Sequence, residues 1–173
     1  MSIHQTLFVN YSNPLRVVDA ADFDGTTDYL SRGSDLTGAA DSKTGIFSCW
    51  VRTDGGDGTA RYLLDNATSL GAFRFLVQHT TGNAFLILGY NSAGVGIMSI
   101  STFQTYTSGS TWRHILASWD LGAGTYTLRI SDTLDWAVST FTDDSIDLTT
   151  GAFYVGASPV GATGARYQGS GFA

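Results

Sequence analysis

Short runs of alternating apolar and polar residues follow one another along most of this chain. In Ile46–Arg52 the three odd-numbered positions are apolar, so their side chains face one way along an extended backbone. The opposite face carries Trp50 and Arg52. This pattern predicts a strand that closes a core on one side and offers a surface on the other.

Similar runs recur at short spacing, separated by glycine-rich turns that are typical of antiparallel sheets. No helical period extends over any long window. The pattern therefore predicts an all-β protein with two packed antiparallel sheets. The predicted strands are Phe23–Gly25, Tyr29–Leu30, Ile46–Arg52, Arg61–Leu64, Phe73–His79, Ala84–Tyr90, Val95–Phe103, Thr111–Asp120, Thr125–Ser131, Trp136–Phe141 and Ala152–Gly156.

The composition supports this interpretation. All 15 acidic residues are Asp, and Lys43 is the single lysine, so the strong helix formers Glu and Lys are almost absent. The chain contains 21 Gly but only 2 Pro, which indicates turns built on glycine. A length of 173 residues suits one domain with a core that needs no disulfide.

The charge and the N-terminal sequence exclude several classes of protein. A net charge of −6 disfavours a basic surface that binds nucleic acid. The first residues contain neither a basic region nor a long apolar run, so we expect no signal peptide, no membrane insertion and folding in a cytoplasm. Cys49 is the single cysteine, and its position within a strand favours a small buried side chain.

The chain divides into an N-terminal arm and one domain. Met1–Ala20 contains two short apolar runs broken by Pro14, and the strand pattern that starts after it does not need this segment. We therefore expect residues 1–20 to dock onto a partner chain or a sister subunit, and residues 21–173 to form the sandwich.

Five segments resemble laminin-G-like domains of the concanavalin-A-like lectin/glucanase superfamily, and they occur in the order typical of that superfamily. They are Phe23–Leu30, Phe47–Arg52, Thr111–Asp120, Tyr126–Ile130 and Phe153–Ala157. The resemblance implies that the two-sheet antiparallel sandwich is a jelly roll.

Two of these regions also resemble the subset of the superfamily that is found in virion proteins of tailed bacteriophages. These regions are Phe47–Thr59 and Thr111–Leu121. The resemblance implies a virion protein that is made in the host cytoplasm, contacts other virion proteins and forms a homo-oligomer, with a trimer favoured. Because the superfamily usually continues into a further strand, it also implies that the domain lacks its last strand, and whether the chain continues past Ala173 stays open.

Catalytic patterns are weak in this sequence. Glucanases of the superfamily use two Glu residues on one strand, and this chain has none. Ser118, His114 and Asp120 would share one strand face, but in a row rather than around a reacting atom, so a triad is disfavoured. The remaining acid pairs lie in turns, where we interpret them as solvated turn acids; they are Asp132 with Asp135 and Asp143 with Asp144.

The resemblance implies one candidate cofactor, calcium, because laminin-G-like and pentraxin-like sandwiches often bind it at loop carboxylates. Asp54, Asp57 and Asp65 are the candidate ligands, since Ca²⁺ takes several oxygen ligands. The competing interpretation is an acidic glycine turn without a metal, so no cofactor is required.

A surface for sugars is the remaining candidate site. Trp50 and Arg52 are suited to it, because a sugar can stack on an indole while a guanidinium bonds to hydroxyl or carboxylate groups. The alternative is that Arg52 merely covers Trp50 through a cation–π contact. Trp112, Trp119 and Trp136 are interpreted as structural residues of the sandwich.

Three functions remain open at this point. The first is a non-catalytic virion module of a tail, fibre or capsid surface that contacts host surface glycans. The second is a glycan-processing enzyme of the same fold, which the absence of Glu disfavours. The third is a general protein–protein adhesion module.

Overall fold

The computed structural model describes residues 20–24, 28–33, 38–67, 72–157 and 168–172. The predicted N-terminal arm, apart from Ala20, lies outside the described residues. No helix in this described part of the chain is long and apolar enough to span a membrane.

The described residues form strands connected by turns, without α-helix, which confirms the predicted all-β class. The strands are β1 (Ala21–Asp24), β2 (Leu30–Arg32), β3 (Thr44–Val51), β4 (Arg61–Ala67), β5 (Phe73–His79), β6 (Phe85–Tyr90), β7 (Gly96–Ser101), β8 (Arg113–Asp120), β9 (Thr125–Ile130), β10 (Thr133–Leu134), β11 (Ala137–Phe141), β12 (Ala152–Val155) and β13 (Gln168–Phe172).

These strands make two antiparallel sheets, as predicted for a jelly roll. A six-stranded sheet has the order β1-β13-β3-β8-β9-β10, and a seven-stranded sheet has the order β11-β7-β6-β5-β4-β12-β2. Strand β13 pairs with β1 and, through Phe172, with β3. That the domain lacks its last strand stays a prediction.

The core lies between the two sheets and is filled by the inward-facing residues of both. The rings of Phe75 on β5 and Trp119 on β8 have centroids 5.6 Å apart, so an aromatic contact joins the two sheets. Trp119 is only 7% exposed, which confirms its predicted structural role.

The predicted alternation along β3 is also confirmed. Val51 is buried and Phe47 and Cys49 pack against the core, whereas Ile46 and Trp50 point away from it. Burial raises the pKa of the Cys49 thiol to about 12, so this thiol stays protonated near neutral pH. One side of β3 therefore closes the core, and the other side is open to solvent.

One of the predicted solvated acids is buried instead. Asp135, which is 6% exposed, accepts hydrogen bonds from the backbone N–H groups of Phe103 and Gln104 and, at 2.5 Å, from the Tyr106 hydroxyl. The interpretation of Asp135 as a solvated turn acid is wrong, because these three donors replace water around its carboxylate. Asp135 thus ties the segment after β7 to the β10–β11 connection.

A buried cation holds the glycine loop that follows β3. Arg61, which is fully buried at the start of β4, donates a hydrogen bond to the carbonyl oxygen of Gly55. The next residue, Gly56, has a φ of +71°, and a Cβ there would meet the guanidinium of Arg61. This position therefore requires glycine for two separate reasons.

Candidate functional site

The outer face of the six-stranded sheet, which points away from the core, carries the predicted Trp50. Strand β3 pairs with β8 over its whole length, and this register sets Trp50 opposite His114. The two rings stack with centroids 4.9 Å apart and planes inclined by 21°. Trp50 is nevertheless 46% exposed, so the indole rests on the imidazole and remains open to solvent.

His114 is held in place from two sides. Its Nε2 lies 2.8 Å from the Ser48 hydroxyl, and its backbone N–H donates to the Ser131 hydroxyl at 3.3 Å. Its hydroxyl partner is Ser48 on the neighbouring strand, not Ser118 on its own strand, so the Ser118–His114–Asp120 triad does not form.

Arg52 contacts a different tryptophan from the one expected. Its guanidinium carbon lies 5.4 Å from the ring centroid of Trp112, so the interpretation in which Arg52 covers Trp50 is wrong. The pairing of Val51 with Arg113 makes Arg52 and Trp112 the next opposite positions, on the same side as Trp50. A cation–π pair therefore adjoins the Trp50–His114 stack and leaves the Trp50 ring uncovered by Arg52.

An open cavity of about 550 Å³ lies further along the same face, towards the N-terminal end of β3. Hydroxyl-bearing side chains and one carboxylate surround it, together with Ile46, which is 76% exposed. The residues that line it are Thr44, Gly45, Ile46, Ser118, Trp119, Asp120, Thr125, Tyr126 and Thr127. The sequence analysis did not identify this cavity, because three strands contribute to it and their register is not visible in a single sequence.

The structure does not bring the three predicted calcium ligands together as a metal centre. Asp65 is fully buried on β4, whereas Asp54 and Asp57 are exposed in the loop after β3. Two hydrogen bonds from Ser108, through its backbone N–H and its hydroxyl, lower the pKa of the Asp57 carboxyl. Within the described ranges, no group of three or more His, Cys or Asp side chains could hold a metal ion.

The other predicted acid pair lies at the surface. Asp143 forms an ion pair with Lys43 at 2.7 Å, and both side chains are largely exposed. Asp144 accepts a hydrogen bond from the side-chain amide of Asn91 at 2.8 Å, which is the main reason that its pKa is lowered. Both carboxylates have local structural partners.

A comparison with protein families finds no match for this sequence, and a comparison with curated proteins finds none either. Solved structures do match. A carbohydrate-binding module, CBM40, of the Ruminococcus gnavus IT-sialidase bound to α2,3 sialyllactose shares 15% identity with a TM-score of 0.61. That alignment covers 88% of this chain and 84% of the module.

Two longer proteins contain a similar domain. Domains LG4-5 of the mouse laminin α1 chain share 16% identity with a TM-score of 0.55, over 93% of this chain and 44% of that one. A protein from Bacteroides ovatus that is described as carbohydrate binding shares 13% identity with a TM-score of 0.66, over 92% of this chain and 43% of that one. This chain thus spans less than half the length of either protein.

At these identities the likeness establishes the fold alone. The chain has the concanavalin-A-like, laminin-G-like jelly roll that the sequence predicted, and the structures that share it include carbohydrate-binding and laminin G domains. None of these matches bears on the bacteriophage subset, which stays a prediction.

Proposed function

We propose that this domain is a non-catalytic glycan-binding module and that it binds its ligand on the outer face of the six-stranded sheet, at Trp50. The observation that carries this proposal is the geometry of Trp50, an indole that is 46% exposed and stacked on His114. Because this support limits the freedom of the ring, little conformational entropy is lost when a ligand covers it.

The surroundings of Trp50 suit a sugar that carries a negative charge. The apolar face of a sugar ring can pack on the indole, while neighbouring polar groups bond to its hydroxyls. The guanidinium groups of Arg52 and of the exposed Arg129 add positive charge to this face, which favours a carboxylate on the ligand. Arg129 also donates a hydrogen bond to the carbonyl oxygen of Asp132 at 2.7 Å. That a module of the same fold binds sialyllactose is consistent with this assignment.

Replacing Trp50 with Ala should weaken glycan binding by at least about tenfold, because the stacking surface is lost. The free energy of unfolding should change by less than about 1 kcal/mol, since the ring points to solvent and packs mainly on His114. A glycan array followed by calorimetric titration of the best ligand, with urea unfolding in parallel, measures both effects.

Trp136 provides a matched control. It is 40% exposed and meets Tyr126 edge-on at 4.9 Å, and it makes no ring contact with Trp50. Trp136→Ala should therefore leave the affinity for a monosaccharide bound at Trp50 unchanged. If the wild-type protein binds no glycan and Trp50→Ala only destabilises it, Trp50 is a packing residue and the proposal is wrong.

We expect no hydrolysis of polysaccharides by this domain. The chain has no Glu, and the buried Asp135 already accepts three hydrogen bonds. Incubation with β-glucans, alginate, agar or host-type polysaccharide should release no reducing ends above a blank without protein. Release that an Asp→Asn substitution abolishes would support the glycan-processing alternative instead.

A second proposal concerns the larger assembly to which this module belongs. The resemblance of Phe47–Thr59 and Thr111–Leu121 to phage virion proteins favours a tail, fibre or capsid-surface component that assembles as a homotrimer through residues 1–20. Electron microscopy of phage particles labelled with an antibody against this domain tests the proposal. Label on no virion component would leave an adhesion module outside the virion as the better interpretation.

A further inference from the structure

The outer face continues beyond Trp50 into the cavity at the other end of β3. Successive outward positions of this strand are Trp50, Ser48 and Ile46, and each lies opposite an outward position of β8. Trp50 and Ile46 are four residues apart, which corresponds to about 13 Å along a strand. A ligand that extends along β3 would therefore meet both ends of this face.

The two ends differ in chemistry. The face around Trp50 carries aromatic and cationic side chains, whereas the cavity presents the hydroxyls of Thr44, Ser118 and Thr127 and the carboxylate of Asp120. Hydroxyl groups donate and accept hydrogen bonds, and a carboxylate accepts them from neighbouring sugar hydroxyls. The cavity is therefore suited to an uncharged sugar unit, because a carboxylate on the ligand would meet Asp120.

The base of the cavity is formed by the sheet itself. The indole of Trp119 occupies the space where a side chain of Gly45 would lie, since a Cβ at Gly45 would meet the ring directly. Trp119 also contacts the ring of Phe75 in the opposite sheet. The cavity is thus built on a packed part of the core.

We infer that the ligand is an oligosaccharide that lies along β3, with an acidic unit on Trp50 and an uncharged unit over the Asp120 cavity. This inference rests on the proposed glycan-binding function and adds the length and the polarity of the ligand. The intervening row of Ser48, Leu116 and Arg129 connects the two ends across three strands.

Two substitutions test the cavity without disturbing Trp50. Thr127→Val removes a hydroxyl and keeps the shape of the side chain. Asp120→Asn removes the charge, and the amide oxygen can still accept the hydrogen bond that Asp120 receives from the Ala123 N–H at 2.9 Å. Asp22→Asn is a matched control, because it removes the same charge from an exposed position in the edge strand β1, three strands from β8 in the same sheet.

The probes are two graded series, from monosaccharide to hexasaccharide, one with a single terminal uronic acid followed by neutral units and one of neutral glycans, together with sialyllactose. Wild-type affinity should increase at least about tenfold from the monosaccharide to the longer acidic glycans. Asp120→Asn and Thr127→Val should each remove most of this gain and leave monosaccharide affinity unchanged, whereas Asp22→Asn should change neither.

The outcomes separate this inference from the function on which it rests. If Trp50→Ala abolishes binding but the cavity variants bind every length as the wild type does, the glycan-binding function holds and the inference is wrong. Equal wild-type affinity for all lengths overturns the inference in the same way. If the wild type binds no probe, both are wrong.

Discussion

Replacing Asp147 with Asn should lower the free energy of unfolding by about 3 kcal/mol, because it leaves a largely buried cation without its counter-charge. Asp147 is 1% exposed and its Oδ2 lies 2.9 Å from Nε of Arg74, whose side chain is 13% exposed. The other oxygen, Oδ1, accepts hydrogen bonds from the backbone of Thr149 and Thr150, and an Asn oxygen can retain these. The substitution thus removes the ion pair and keeps the turn.

The exposed pair of Lys43 and Asp143 provides the control. Both side chains are solvated, with exposed fractions of 45% and 63%, so Asp143→Asn should change the free energy of unfolding far less than Asp147→Asn does. Urea unfolding of both variants at neutral pH measures the difference. Equal effects would mean that burial does not strengthen the Arg74–Asp147 pair.

The stability of the domain should decrease as the pH falls below about 6.5, because His79 is buried in its neutral form. Its Nε2 lies 2.7 Å from the carbonyl oxygen of Tyr106, which only accepts, so Nε2 carries the hydrogen. Its Nδ1 is buried and has no hydrogen-bond partner within the described residues. Burial lowers the pKa of His79 below 6.5, and the charges of Arg61 and Arg113 lower it further, against opposing effects of the Tyr106 carbonyl and Asp57.

The direction of this pH dependence follows from the lowered pKa of His79. Well above pH 6.5 the ring is neutral in both states, whereas near and below pH 6.5 the unfolded chain binds a proton more readily than the folded one does. Stability should therefore be constant above about pH 6.5 and should decrease below it by up to about 1.4 kcal/mol per pH unit. Urea unfolding from pH 8 to pH 5 measures this slope.

Two variants show whether His79 is the residue responsible. His79→Phe should be less stable at neutral pH but should lose the slope between pH 6.5 and 5, because no buried imidazole remains to take up a proton. His114→Gln serves as the comparison, because it removes a histidine from the outer face and leaves His79 in place. A slope that survives in His79→Phe would assign the effect to other groups.

The strands and the fold could be predicted because they depend on local patterns. Alternation along a single strand showed which side of β3 faces the core, and glycine turns marked the strand ends. The resemblance then indicated the order in which such strands pack. These properties depend on neighbouring residues in the chain, so one sequence contains them.

The partners across the sheet could not be predicted in the same way. Arg52 and Trp50 are two residues apart and share a side, which suggested that they touch. In a sheet, however, the residue opposite on the next strand is closer than the residue two positions along. Arg52 therefore contacts Trp112 and Trp50 contacts His114, and only the register of β3 with β8 shows this.

Buried polar residues were missed for a related reason. Asp135 has the sequence context of a turn acid, and its three hydrogen-bond donors come from residues about thirty positions earlier in the chain. Distant contacts of this kind decide whether a carboxylate is solvated or buried, and no local pattern reports them.

Cys49 gives this domain a natural reporter of its own opening. The chain has a single thiol, on the inner side of β3, and burial raises its pKa to about 12. Cys49 is partly buried, and its raised pKa leaves little thiolate at neutral pH. Because a maleimide dye reacts with the thiolate, labelling of the native protein should be slow and should accelerate when β3 separates from the opposite sheet. The labelling rate therefore reports how often the two sheets separate, and no engineered cysteine is needed.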